Sequence, residues 1–252
     1  MVLEKYLRQT EFGSYEDFRS GYEISIPGNF NFAYDVVDEI ARVTPEKIAM
    51  VWCDDKGNEA VFTFGQMKYY SCKAASFFKS AGIRKGDPVM LIMKRHYTYW
   101  FCTLALKRIG AVTIPATHLL STKDIIYRNN AASIKMIVCV PDPVVMQHVS
   151  EAEEKSPSLK YKVLIDSDSE GWINLSKSMD ESSSEFPRPA GDEAAENGDI
   201  MLLYFTSGTT GMPKMVTHDF TYPLGHIVTA KYWQNVQDNG LHFTIADTGW
   251  AK

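Results

Sequence analysis

The sequence predicts an α/β protein built on a mostly parallel sheet with covering helices. Two observations carry this. From Val89 to Ile165, short aliphatic runs alternate strictly with segments of helical spacing, the pattern of repeated strand–helix units. Later, Met201–Phe205 has the length and composition of a buried strand and breaks into a loop rich in hydroxyls and glycines.

Taken in order, residues 1–30 are aromatic and polar without clear periodicity and read as an arm packed on the surface. Phe32, Val36, Val37, Ile40 and Ala41 fall at helical spacing, with Pro45 just beyond. Ile48–Cys53 and Ala60–Thr63 flank the turn Asp54-Asp55-Lys56-Gly57-Asn58 and form a hairpin. A helix starts at Thr63 or Gly65 and runs to Ser80, stopped by Gly82. After the Lys85–Pro88 turn come a buried strand at Val89–Met93, a helix from about Tyr97 to Ile109, and a strand at Ala111–Pro115. The aromatics Tyr97, Tyr99, Trp100 and Phe101 are read as core packing. Ser121 and Asp124 form a capping box for a helix reaching about Ala131. Met136–Val140, Pro143–Glu154 and Lys162–Ile165 continue as strand, helix and strand. Asp180–Asp199 is rich in Ser, Pro, Ala and acidic residues and reads as a solvated loop or linker. Beyond the hydroxyl-rich loop, His218–Trp233 is expected to be helical, with His218 its polar start, and His242–Ile245 a strand.

Composition narrows the function classes. With 252 residues, 45% hydrophobic and 23% charged, the chain has ample material for a core. A net charge of −5 argues against a nucleic-acid binder. No apolar run approaches the roughly 18 residues of a membrane span, and the start, MVLEKYLRQTEF, is too polar for a signal-peptide core. Cys53, Cys72, Cys102 and Cys139 are widely spaced and expected to be reduced thiols of a cytoplasmic protein. The six histidines form no metal-binding spacing, so no metal site is expected.

The chemistry concentrates in Met201–Val216. Thr206, Ser207, Thr209 and Thr210 supply hydroxyls, Gly208 and Gly211 let backbone N–H groups approach an anion, and Lys214 adds a mobile positive charge. Those groups suit a polyphosphate. The spacing differs from G-x-x-x-x-G-K-[ST], because Met212 and Pro213 separate Gly211 from the lysine. Composition alone leaves an ordinary polar turn as the alternative.

Tyr204–Val216 resembles the signature of the adenylate-forming superfamily of acyl-CoA synthetases, luciferases and peptide-synthetase adenylation domains, with an additional aromatic at Phe205. Asp247-Thr248-Gly249-Trp250 is similar to the D-x-G-W segment of the acetyl- and medium-chain acyl-CoA synthetase branch. Pro115-Ala116-Thr117 and Ser121–Arg128 also resemble the medium-chain branch. The resemblance runs from about Tyr34 to the end of the chain.

It implies the ATP-dependent activation of a short- or medium-chain fatty acid to an acyl-adenylate and then an acyl-CoA. ATP, Mg2+ and coenzyme A would be the co-substrates. Thr206, Ser207, Gly208, Thr209, Thr210, Gly211 and Lys214 would hold the triphosphate, with Lys214 also catalytic, and Trp250 would be an aromatic wall of the acid pocket. His118 and Leu119 align with a stretch that faces coenzyme A in some relatives and receive no role. The resemblance further implies an incomplete large adenylation domain over 31–252, ending before the Y-G-x-T-E stretch and the small C-terminal domain. A sheet cut short in this way would favour self-association. Two alternatives are a peptide-synthetase-type adenylation domain and a non-catalytic nucleotide-binding or interaction module. Acyl chain length is not legible, since most of the pocket would lie beyond Lys252.

Overall fold

The computed structural model describes residues 2–206, 211–243 and 245–250. The arm contains helix α1 (Tyr15–Gly21), whose first turn is capped by the Ser14 hydroxyl accepting from Asp17 N. Tyr6, Leu7 and Phe30 pack against Leu224 and Ile227, far along the chain. The Asn197 side chain fastens the end of the arm, accepting from Phe30 N at 2.7 Å and donating to Pro27 O at 2.9 Å. A π-helical turn (Ala33–Asp38) then leads into α2 (Glu39–Val43).

Strands β1 (Ile48–Cys53) and β2 (Glu59–Thr63) form the expected antiparallel hairpin. Helix α3 (Phe64–Ser80) begins at a capping box in which Thr63 and Gln66 satisfy each other's backbone N–H groups. The alternation that follows matches its sequence pattern closely. It comprises β3 (Pro88–Ile92), α4 (Thr98–Ile109), β4 (Val112–Pro115), α5 (Thr122–Ala131), β5 (Met136–Cys139), α6 (Pro143–Glu153) and β6 (Tyr161–Leu164). The Ser121–Asp124 capping box is present at the head of α5. Tyr99 and Phe101 are buried, whereas Trp100 lies outside the core.

Two short elements escape the sequence reading: β7 (Ile173–Asn174) and α7 (Leu175–Asp180), started by the Asn174 side chain accepting from Lys177 N. The Asp180–Asp199 stretch is indeed mostly irregular, but it is fastened down rather than loose. Arg188 pairs with Asp35 at 2.6 Å, Lys79 with Glu193 at 2.7 Å and Lys85 with Asp199 at 2.9 Å.

The main sheet has the order β7-β6-β5-β3-β4-β8-β9, where β8 is Ile200–Thr206 and β9 is Lys214–Asp219. All neighbours are parallel except β8 and β9. In β3, Val89 and Leu91 face one core with Phe78, Phe101 and Leu104, while Met90 and Ile92 face the other with Ile125, Val145 and Val149. Strands buried on both sides therefore need continuous apolar runs, which is what the sequence provides.

The last stretch departs from expectation. His218–Trp233 is not one helix, and His218 belongs to β9 rather than to a helix start. Lys214–Asp219 pairs with β8 in the register Thr206↔Lys214, Tyr204↔Val216 and Leu202↔His218. The outer edge of β8 carries a full row of backbone donors and acceptors, which an antiparallel strand satisfies and a helix could not. Helical structure follows only as α8 (Tyr222–Gly225) and a π-helical turn (Val228–Trp233). His242, Phe243 and Ile245 form no strand, and Phe243 and Ile245 are each 75% exposed. Periodicity there reflected side chains without a sheet to join.

Candidate active site

The connectivity creates a crevice at the carboxyl ends of the central strands. The chain leaves β3 towards α4 on one face of the sheet and leaves β4 towards α5 on the other, so the two departing loops diverge. Open α/β sheets receive ligands at such switch points. β4 and β8 are adjacent and parallel, with Thr113 opposite Leu202, so the loop that follows β8 opens at this same edge.

Thr206 and Lys214 are directly opposed across the β8–β9 hairpin, and the Thr206 hydroxyl reaches the Lys214 carbonyl at 3.5 Å. Opposed residues carry their side chains to the same face, which sets a hydroxyl beside an ammonium at the hairpin mouth. Lys214 is exposed. Gly211 has φ of +136°, a left-handed conformation that side chains resist. From α5, Tyr127 donates to the Pro213 carbonyl at 2.8 Å, and the Arg128 guanidinium lies 5.1 Å from the centre of the Phe205 ring. Ser207, Gly208, Thr209 and Thr210 lie outside the described residues.

The Asp247–Trp250 segment lies on the end of β4. A Cβ added at Gly249 would fall 2.7 Å from the Ala116 carbonyl oxygen and nearer still to Thr117 N, so only glycine permits this approach. Asp247 Oδ1 accepts from Gly249 N at 2.8 Å, and its Oδ2 is 3.8 Å from His118 Nδ1. Arg95, in the loop after β3, donates to the Ile245 carbonyl at 3.3 Å, so the segment spans the crevice from one departing loop to the other. Trp250 is 53% exposed. Tyr99 of α4 links the two motifs: burial pushes its phenol far up, and Tyr204 and Asp247 push the same way.

The sequence reading missed one cluster. Tyr204, His218, Tyr222 and His226 form a chain of ring contacts, edge-on, tilted and edge-on, with centroids 6.2, 3.9 and 4.5 Å apart. Burial pulls the His218 imidazole down, with His226 adding to the effect. His218, Tyr222 and His226 border a cleft of about 510 Å³ shared with Ile24 and Ile26. The cleft is open to solvent and lies at the end of β9 away from the loop. The hairpin mouth instead sets the Thr206 hydroxyl beside the Lys214 side chain.

Among the described residues no cluster of His, Cys, Asp and Glu has the makings of a metal site, and no helix is long and apolar enough to cross a membrane. Burial pushes the Cys139 thiol up to about 12 and Cys102 higher still, so neither is poised as a nucleophile.

Comparison with known proteins identifies the family. Residues 37–247 match the family described as AMP-binding enzyme. The mouse protein "Acyl-coenzyme A synthetase ACSM4, mitochondrial" is 35% identical over 242 residues, which is 91% of this chain and 40% of that protein. The human "Acyl-coenzyme A synthetase ACSM3, mitochondrial" is 32% identical over 249 residues, 96% of this chain and 42% of that protein. The chain thus spans about 40% of the length of the curated relatives it matches. A crystal structure of the anthranilate CoA ligase AuaEII with anthranoyl-AMP superposes with a TM-score of 0.72 at 21% identity, covering 84% of this chain and 38% of that one. At that identity the likeness bears on fold alone.

One expectation is overturned. A cytoplasmic location does not stand, because these relatives are named mitochondrial. A polar start argues only against an apolar export segment; mitochondrial delivery uses amphipathic leaders and leaves no such signal.

Proposed function

The chain belongs to the AMP-binding enzyme family, and on that premise we propose that it supplies the triphosphate-binding part of an ATP-dependent acid–thiol ligase acting in the mitochondrion. The substrate is a short- or medium-chain fatty acid, and ATP with its Mg2+ counterion and coenzyme A are the co-substrates. The acid's carboxylate attacks the α-phosphate of ATP and pyrophosphate leaves; the coenzyme A thiolate then displaces AMP from the acyl-adenylate.

In the first step the protein's task is to hold the phosphates in line and offset charge on the departing pyrophosphate. Thr206, Ser207, Gly208, Thr209, Thr210 and Gly211 contribute hydroxyl and backbone donors. Lys214 sets its positive charge beside the leaving group, and Trp250 walls the acid pocket. Residues 31–252 belong to the large adenylation domain in this reading without making up the whole of it, and residues 1–30 form an arm against them.

The observation that carries the reading is the opposition of Thr206 and Lys214 at the carboxyl edge of the sheet, beside the docked Asp247–Trp250 segment. The experiment is pyrophosphate exchange by the full-length protein with fatty acids from acetate to decanoate and with amino acids, followed by thioester formation with coenzyme A. Exchange is expected with fatty acids only. Exchange confined to amino acids overturns the acyl-CoA reading in favour of a peptide-synthetase-type activity.

A further inference from the structure

We propose that His118 is a positioning residue: its Nδ1, carrying the proton, donates to Asp247 and so seats residues 247–250, with the Trp250 ring, on the end of β4. The identification of Trp250 as a wall of the acid pocket rests on the function proposed above; the seating itself does not.

His118 follows directly on the Ala116–Thr117 backbone against which Gly249 is pressed. That contact is backbone on backbone and fixes how far the segment stands from the sheet. Within it, Asp247 has already committed Oδ1 to Gly249 N, and Oδ2 faces the imidazole. His118 Nδ1 is buried and has no hydrogen-bond partner, although the ring as a whole keeps 33% of its surface exposed. A buried ring nitrogen is ordinarily satisfied, and a carboxylate oxygen 3.8 Å away stands less than about 1.5 Å beyond hydrogen-bond range. A small rotation of the imidazole closes it. Thr248 Oγ1 is buried without a partner in the same patch, consistent with a segment whose last contacts form together.

The tautomer follows from the partner. A carboxylate on the Nδ1 side holds the proton there and leaves Nε2 as the acceptor nitrogen. Asn at position 118 reproduces a donor near Nδ1, whereas Gln carries its amide further out and does not. The two substitutions are similar in polarity, so their comparison separates positioning from loss of fold.

The test uses this chain labelled with 15N-histidine and, separately, 5-fluorotryptophan, with Trp250→Phe assigning the Trp250 line. In the wild type His118 is expected as the Nδ1–H tautomer. The Trp250 fluorine line should hold its native position in His118→Asn and move to that of the urea-unfolded chain in His118→Gln and His118→Ala, at unchanged circular dichroism. An Nε2–H tautomer, or a Trp250 line in place in all three variants, overturns the proposal. Should exchange assays fail while the tautomer and the fluorine line behave as stated, the acid-pocket reading falls and the seating role stands.

Discussion

Tyr127 donates its hydroxyl to the carbonyl of Pro213 at 2.8 Å, tying α5 to the far side of the hydroxyl-rich loop. The neighbouring Arg128 stacks on Phe205 at the near side. One helix thus braces both flanks of the hairpin that presents Lys214.

Tyr127→Phe removes that bond and leaves the ring. The expected cost is about 0.5–1.5 kcal/mol, the usual net value of one hydrogen bond. Amide hydrogen exchange should quicken at Lys214–Val216 while α5 stays protected. Unchanged exchange would show that the Pro213 carbonyl does not depend on this brace.

In the full-length protein, Lys214→Ala should slow acyl-adenylate formation by roughly 10²–10³-fold, the typical loss when one preorganised electrostatic contact is removed. Its side chain is exposed, so the thermal midpoint should barely move. Pyrophosphate exchange at the wild-type rate would remove Lys214 from the reaction.

Asp38→Ala should be among the most damaging single changes. Arg108 is 1% exposed, and Asp38 accepts two of its hydrogen bonds at 2.6 and 2.9 Å. Deleting the carboxylate strands a buried charge at a cost of about 3–5 kcal/mol, whereas replacing both partners with apolar residues should recover much of it. Urea unfolding of the single and double variants measures the difference.

Lys107 supplies a pH dependence. Burial pushes its ammonium down to about 8 from an ordinary 10.5. Between those values the unfolded chain binds more protons than the folded one, so this group makes stability rise with pH through that window. Below about pH 8 the folded protein carries the full cost of holding this partly buried charge. Lys107→Met should therefore be more stable than wild type at pH 7, with the gap closing as pH rises from 8 to 10. Urea midpoints across that range report it, and a gap that widens with pH would contradict the assignment.

Much of this fold was legible because its signals are local. Thr63 with Gln66 and Ser121 with Asp124 announce their helices within four residues, and the runs of β3 and β5 are apolar on both faces because helices cover both. The failures share a cause of the opposite kind. Lys214–Asp219 becomes a strand only because β8 has an edge to offer, a fact distant from its own residues. The His118–Asp247 proximity joins positions far apart in sequence and has no local mark at all. The hydroxyl-rich loop stands out as a string, while the brace from Tyr127 to Pro213 does not, since a tyrosine on a helix says nothing of the carbonyl it will meet.

The Asn197 bridge to Phe30 and Pro27 bears on when the arm can settle. It joins residues 167 positions apart, and closing so long a loop is entropically slow. During synthesis the first thirty residues leave the ribosome well before their seat exists. They must wait, solvated and accessible to chaperones, until the last strands have formed. In a pulse-labelled refolding experiment the amide of Phe30 should gain protection after those of β3, so that a segment made before its partners folds after them.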